Sequence, residues 1–420
     1  MRVAVITENF FPKVDGVTRT LGKLLEHLQR RQYEVILLGP ESGMSSYAGA
    51  ELLGTVGIPF LPYPELKLNL WRPEFTKKLL QFKPDVIHLV DPVWLGAAAL
   101  MICQLYLPHV PLVASYHTNL ATYCQRFGWG LFSPLMWRWN RYCHSKCLYT
   151  ACPSQSTSRI LQDHGFDNVR IWPRGVDVGF FSPDKHSIQL RAQWMGVSEE
   201  EASEKTVILY VGRVSREKNI HLVLNAYKSM DHQKCHLVIV GHGPAFDMIQ
   251  SECARSAIPV TFTGYLQGVN LATAFASADI FAFPSDTETF GQVVLEAMAS
   301  GLPIAGLLAD GVRDLVEHGK SGLLLDITGL SRKQQAQCFK KNLESLVTDP
   351  VIRKQMGQQA MEASKRYTWY EAMDCMVRIY RDACLSSAGK KYICIESDAA
   401  DSGVEEDYAT EDDLVLAEST

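Results

Sequence analysis

The sequence contains no D-x-D pair, no C-x-x-C pair, no full G-x-G-x-x-G run and no apolar stretch long enough to cross a bilayer. Each absence narrows the field. Without D-x-D, one common divalent-metal signature is missing. Without G-x-G-x-x-G, a hydride-transfer dinucleotide cofactor is disfavoured. The 11 cysteines are scattered, with Cys143, Cys147 and Cys152 too unevenly spaced for paired ligation. They read as reduced, mostly buried thiols in a reducing compartment rather than as a zinc site. The stretch Val86 to Ser115, with Asp91 as its one charged residue, is interrupted further by His88, Pro92, Gln104, Pro108 and His109. Its apolar part, 93–107, is about 15 residues against the roughly 20 that span a membrane, and it reads as a buried helix. The opening "MRVAVITENF" has too short an apolar run for a signal peptide, so a cytoplasmic location is expected.

Basic residues are missing from one end. No Lys or Arg follows Lys391, whereas ten acids lie between Glu396 and Glu418. Taking those ten from the net charge of −5 leaves a mildly basic body of +5. The acidic segment, 391–420, lacks apolar periodicity and is expected to be a disordered tail.

What is present is globular: 47% hydrophobic and 21% charged residues over 420 positions, too long for one ordinary core. Short β-branched runs such as "RVAVIT", "YEVILLG", "KPDVIHLV" and "PLVASYH" alternate with helical patterns, of which Leu21, Leu24, Leu25 and Leu28 are the clearest. That alternation predicts a parallel sheet covered on both faces. It restarts after "RGVDVGFFSPD" with "TVILYVGR", "HLVIVGHGP", "VTFTG", "ADIFAFP", "LPIAGLL" and "SGLLLDI". The fold class is therefore α/β, with two tandem Rossmann-like doubly wound domains. A ligand is expected at the carboxyl ends of the strands, in an interdomain cleft. The expected division is 1–180, 181–369, a helix over 370–390 returning to the first domain, and the tail.

Five places carry candidate chemistry. In "SDTETFGQVVLEAMASGLP", Ser285 and Glu288 fit a capping box. Phe290-Gly291 instead suggests close approach of a ligand to a helix N-terminus, with Glu288 and Glu296 accepting from hydroxyls. In "VGRVSREKN", Arg213 and Lys218 form either a pyrophosphate clamp or, through Glu217, a local ion pair. Gly16 is either a turn residue or part of a loop over a phosphate. His117 follows a strand, where a lone histidine reads first as structural. Residues 123–146 interleave Trp129, Phe132, Trp137, Trp139 and Tyr142 with Arg126, Arg138, Arg141 and Lys146. That pattern suits either an interfacial helix on anionic lipid or a core helix with solvated arginines.

Taken in order, "VGRVSREKN", "IVGHGP", "FTGYLQG", "ADIFAFPSDTETFGQVVLEAMASGLP" and "GKSGLLLD" resemble the retaining glycosyltransferases of family 4, which have the GT-B fold. The resemblance runs over about residues 1–385. "SYHTN", "PLMWRWNRYCH" and "IWPRGVD" resemble sulfoquinovosyl-diacylglycerol synthases and bacterial lipid mannosyltransferases. It implies an enzyme moving a hexosyl group from a UDP- or GDP-linked sugar, a co-substrate rather than a cofactor, with no metal. It also implies roles: Arg213 and Lys218 on the diphosphate, Glu296 on the ribose, and Glu288, Phe290 and Gly291 on the sugar. Gly16 would close over phosphate and sugar, His117 would reach the sugar, and Leu266 would line the base pocket. The implied acceptor is a membrane lipid, reached at the cytosolic face through 123–146, and no nucleic-acid partner is expected. A soluble sugar or glycan acceptor, a nucleotide-sugar epimerase and an inactive scaffold are the competing readings.

Overall fold

The computed structural model describes residues 1–12, 15–60, 63–121 and 130–387. The tail expected over 391–420, and residues 123–129 of the aromatic-basic segment, lie outside them. The described chain divides into two compact units. Unit 1 comprises 1–174 with 369–387, and unit 2 comprises 175–368.

The sheet of unit 1 has eight strands, in the order Val169–Ile171, Tyr149–Cys152, Leu112–Ser115, Val86–Val90, Arg2–Thr7, Glu34–Pro40, Ala50–Thr55 and Ser46–Tyr47. Every pairing is parallel except the last. Val86–Val90 is buried throughout, as a strand covered on both faces must be. Ala4, Ile6, Ile36, Leu38, Ile87 and Leu89 share one of its core layers. The helix Trp369–Ser387 is part of this unit. Arg31 ties it down by donating to the Tyr370 hydroxyl at 2.8 Å and pairing with Asp374 at 2.6 Å.

The uncharged stretch after Asp91 forms the helix Leu95–Tyr106. It is buried on one face only. Leu95, Ala97, Ala99, Leu100 and Cys103 pack inward, whereas Met101, Leu105 and Tyr106 are exposed, which corrects the expectation of a buried helix. A helix lying on one face of a sheet has an outer side, and here that side remains apolar.

Unit 2 has six parallel strands: Val260–Gly264, Cys235–Val240, Thr206–Val211, Ile280–Phe283, Ile304–Leu307 and Gly322–Leu325. Alternation along Thr206–Val211 sends Val207, Leu209 and Val211 into one core layer and Ile208 and Tyr210 into the other. An unbroken apolar run is what such a strand needs. Numbered by chain position, these six strands run 3-2-1-4-5-6 across the sheet, the doubly wound order.

Candidate active site

The winding of unit 2 reverses between Thr206–Val211 and Ile280–Phe283, which pair directly. Loops leaving two such strands diverge at their carboxyl ends and open a crevice. Arg213 lies on the first loop, and Ser285 and Glu288 on the second. The first loop continues as a single turn, Arg216–Lys218. Asn219, left-handed at φ 53°, then separates Lys218 from the helix Ile220–Tyr227. Lys218 therefore stands outside the helix rather than at its first residue.

The Lys218 ammonium meets the Glu288 carboxylate at 2.5 Å, a partner 70 residues on rather than the neighbouring Glu217. Ser285 Oγ donates to the same Glu288 oxygen at 2.9 Å. The two charged side chains are 21% and 18% exposed. Burial would push the Glu288 carboxyl up; the Lys218 charge and the hydrogen bonds from Lys218 and Ser285 outweigh it and hold the group below the ordinary range.

Of the two readings of this stretch, the capping box does not form. The helix starts at Gln292, after Gly291 has turned the chain at φ 94°. Ser285 and Glu288 are thus bonded to one another in a loop. Gly291 sits before the helix rather than within its first turn, in a conformation that costs an L-residue roughly 1–2 kcal/mol. Glu296 lies in the second turn at 1% exposure. Phe290 is buried edge-on against Tyr367. Gly311, which the motif reading passed over, lies beneath this loop. A Cβ there would stand 2.9 Å from Phe290 N and 3.0 Å from Glu288 O. Leu266, after Val260–Gly264, is half-buried against the core.

In unit 1 the winding reverses between Arg2–Thr7 and Val86–Val90. Gly16 opens the helix Gly16–Arg30, capped by Asp15, whose carboxylate accepts from Val17 N and Thr18 N at 3.0 and 2.9 Å. No described atom lies within 4 Å of where a Gly16 Cβ would stand, so packing does not demand glycine there. Across the switch point, Glu8 caps the helix Leu95–Tyr106 by accepting from Trp94 N, Leu95 N and Gly96 N. Asp91 accepts from His117 N at 2.7 Å and from the Thr118 hydroxyl at 3.1 Å. His117 Nε2 lies 2.8 Å from Ser115 Oγ, and its Nδ1 accepts from Arg174 Nη2 at 2.9 Å. Both ring nitrogens are thus engaged inside unit 1, and a sugar contact through the ring requires one of these bonds to exchange.

Burial raises the Asp91 carboxyl from 3.8 to about 7, against the hydrogen bonds from His117 and Thr118 that lower it. Ionising it costs more in the folded chain than in the unfolded one. This contribution to stability is therefore full below pH ~4 and is lost as pH rises through ~7. Asp91→Asn removes the titration, and asparagine tolerates the native φ of 44°. The variant should melt higher than the wild type at pH ~8, by up to about 4 kcal/mol of stability, and nearly level with it at pH ~4. Melting curves at both values check this, and a variant that is less stable at pH ~8 contradicts it.

Residues 14–180 match the family model described as Glycosyltransferase Family 4, and residues 197–363 match Glycosyl transferases group 1. A GDP-mannose-dependent alpha-mannosyltransferase of Corynebacterium glutamicum is 34% identical over 392 residues, covering 91% of this chain and 89% of that protein. The chain is a family 4 glycosyltransferase. This glycosyltransferase is also 30% identical to the sulfoquinovosyl transferase SQD2 of Arabidopsis thaliana, over 88% of its own length and 71% of that protein. Among solved structures it is similar to sucrose-phosphate synthase from Thermosynechococcus elongatus, with a TM-score of 0.75 at 18% identity over 92% and 99% of the two chains. That likeness shows the GT-B fold. Within the glycosyltransferase, Arg213 and Lys218 follow Thr206–Val211, Glu288 follows Ile280–Phe283 and Gly16 follows Arg2–Thr7, all switch-point strands, whereas His117 and Leu266 follow Leu112–Ser115 and the edge strand Val260–Gly264. Ser285, Gly311, Asp91 and Arg174 complete their surroundings.

Proposed function

We propose that the enzyme transfers a hexosyl group from a nucleoside-diphosphate sugar to a lipid with retention of anomeric configuration. The observation that carries this reading is the Lys218–Glu288 pair, braced by Ser285 at the switch point of unit 2. A cation held there by a carboxylate is preorganised for a diphosphate oxygen. Arg213, on the same loop, supplies a planar fork for a second one. As the anomeric C–O bond lengthens, charge gathers on the β-phosphate, and these cations stabilise it without a metal step. The acceptor oxygen joins the anomeric carbon on the face the phosphate leaves, and the acceptor proton passes to the departing phosphate oxygen. Glu296 takes the ribose hydroxyls. Glu288 and the backbone N–H groups of Phe290 and Gly291 take the sugar, and Leu266 flanks the base. From unit 1 we assign Gly16 to phosphate and sugar. His117 exchanges its Ser115 contact for a sugar hydroxyl.

The donor named for the Corynebacterium relative, GDP-mannose, is the first to test, with UDP-linked sugars second. Lipid as acceptor draws on a similar protein of Streptococcus pneumoniae, an alpha-monoglucosyldiacylglycerol synthase 27% identical over 78% of each chain, and on one exposed face. Along Gly130–Ser145, Leu131 is 95% exposed and Phe132, Leu135 and Tyr142 are exposed with it, beside Arg138 and Arg141. Trp137 and Trp139, by contrast, are held by the protein: one stacks on His164 and the other donates to Val93 O. No described helix is long and apolar enough to cross a membrane. In a thermal-shift series, the true nucleotide at 100 times its dissociation constant should stabilise by about 2.7 kcal/mol. The matching sugar nucleotide should then label a lipid extract in the presence of the enzyme. Labelling of water-soluble glycans alone removes the lipid acceptor, and no response to any nucleotide removes the donor assignment.

A further inference from the structure

The sequence places Arg174 in "IWPRGVD" without a role, yet its side chain is 6% exposed and ends on His117. Its Nη1 donates to Trp172 O at 2.9 Å and Pro173 O at 3.2 Å, and its guanidinium lies 4.6 Å from the Trp172 ring centroid. Trp172 in turn sets its edge against both His117 and His88. The guanidinium is therefore fixed on three sides before it reaches the imidazole.

Chemistry then assigns the proton. Guanidinium has donors and no acceptor. The contact at 2.9 Å therefore requires His117 Nδ1 to be the bare, accepting nitrogen. The remaining ring proton sits on Nε2 and is donated to Ser115 Oγ at 2.8 Å. Ser115 has its own proton left for His88 Nε2 at 2.8 Å, and His88 Nδ1–H can donate to the Tyr380 hydroxyl at 2.7 Å. The chain of hydrogen bonds runs one way, from Arg174 through His117, Ser115 and His88 to the helix Trp369–Ser387.

We propose that Arg174 is a positioning residue that holds the His117 ring neutral with its proton on Nε2, the form that offers a donor to a sugar hydroxyl. The inference rests on the assignment of His117 to the donor sugar. Among the described residues, the charged and titratable groups facing the ring include Arg174, His88 and His144, with Asp91 bonded to the His117 backbone N–H. Burial and the Arg174 charge both press the imidazole well below its ordinary range, so protonation does not compete with this tautomer near neutrality.

The test reads the tautomer directly, through long-range ¹H–¹⁵N spectra of the full chain, with the His117 signals identified by their loss in His117→Gln. In the wild type, the spectra should show Nε2–H and no titration between pH ~5 and ~8. In Arg174→Met, they should show a mixture of tautomers and a titration moving toward the ordinary histidine range. Transfer should fall about 10- to 100-fold in kcat, the scale typical of a misplaced group, with little change in KM for the donor. Arg174→Lys keeps a donor and should keep the tautomer. Tyr380→Phe cuts only the far end and should leave His117 as it is. A wild-type His117 carrying its proton on Nδ1, or titrating in that window, overturns the proposal without any variant. An Arg174→Met enzyme with unchanged spectra or unchanged kcat overturns it as well. Failure of every sugar nucleotide to bind or react would instead remove the functional reading, and the spectra would still decide what Arg174 holds.

Discussion

Lys218→Ala should lower the rate of glycosyl transfer about a hundredfold or more while the chain still folds. The rate estimate follows from the charge that develops on the leaving diphosphate, since deleting one preorganised donor typically costs about 3 kcal/mol of barrier. The substitution also strands Glu288. With the ammonium gone, burial is no longer outweighed, and the carboxyl rises from its depressed value toward and past the ordinary range. Stability should fall with it, because a partly buried carboxylate loses its partner.

These two consequences can be pulled apart. Glu288→Ala in the same chain removes the stranded acid, so the double variant should regain stability relative to Lys218→Ala. Its rate should not return, because neither the cation nor the sugar-facing carboxylate is present. Melting temperatures and single-turnover rates of the wild type, both single variants and the double variant close the cycle. Recovery of rate in the double variant would make the pair a structural brace, and the proposed diphosphate grip would fail. A Lys218→Ala enzyme at wild-type rate would fail it more simply.

The parts of the architecture that depend on local pattern were legible. The run "TVILYV" is a strand buried on both faces because apolar side chains follow Thr206 on both of its sides, and "ADIFAF" contains its neighbour for the same reason. Arg213, Lys218 and Glu288 were legible as residue types after strands. Their joining was not, because a bond between positions 70 apart is created by strand order, and strand order is not written in either segment. S-x-x-E satisfies a helix start wherever the helix happens to begin, so the motif left the capping box and a ligand-facing loop both open. The left-handed turn at Gly291 moves that start past Glu288. Arg174, His88 and Tyr380 come from three separate segments, and Ser115 and His117 share a fourth; of the five, only His117 stood out in the sequence. Only the sheet and the returning C-terminal helix bring them together.

Gly243→Ala should also lower transfer about a hundredfold, although the residue touches no substrate. The turn after Cys235–Val240 is clamped to the loop that carries Arg213. Gly212 N donates to Val240 O, Val214 N to His242 O and Ala245 N to Val214 O, at 3.1, 3.1 and 3.0 Å. A Cβ on Gly243 would stand 2.5 Å from Val214 O and 3.0 Å from Val214 N and C. Those are backbone atoms of the clamped loop, so no side-chain rotation relieves the overlap. The loop has to move, and a shift of about 1 Å in the Arg213 backbone is enough to cost about a hundredfold in a positioned reaction. Overpacking should cost about 1–3 kcal/mol of stability at the same time. Gly196→Ala provides the contrast. Gly196 caps the helix Ile188–Met195 at φ 66° with no described atom within 4 Å of a Cβ, so alanine there meets only backbone strain of roughly 1–2 kcal/mol. The two variants should lose comparable stability, and only Gly243→Ala should lose rate and diphosphate affinity. Equal rates in both would show that the turn supports the fold without setting Arg213, and the clamp would have no part in catalysis.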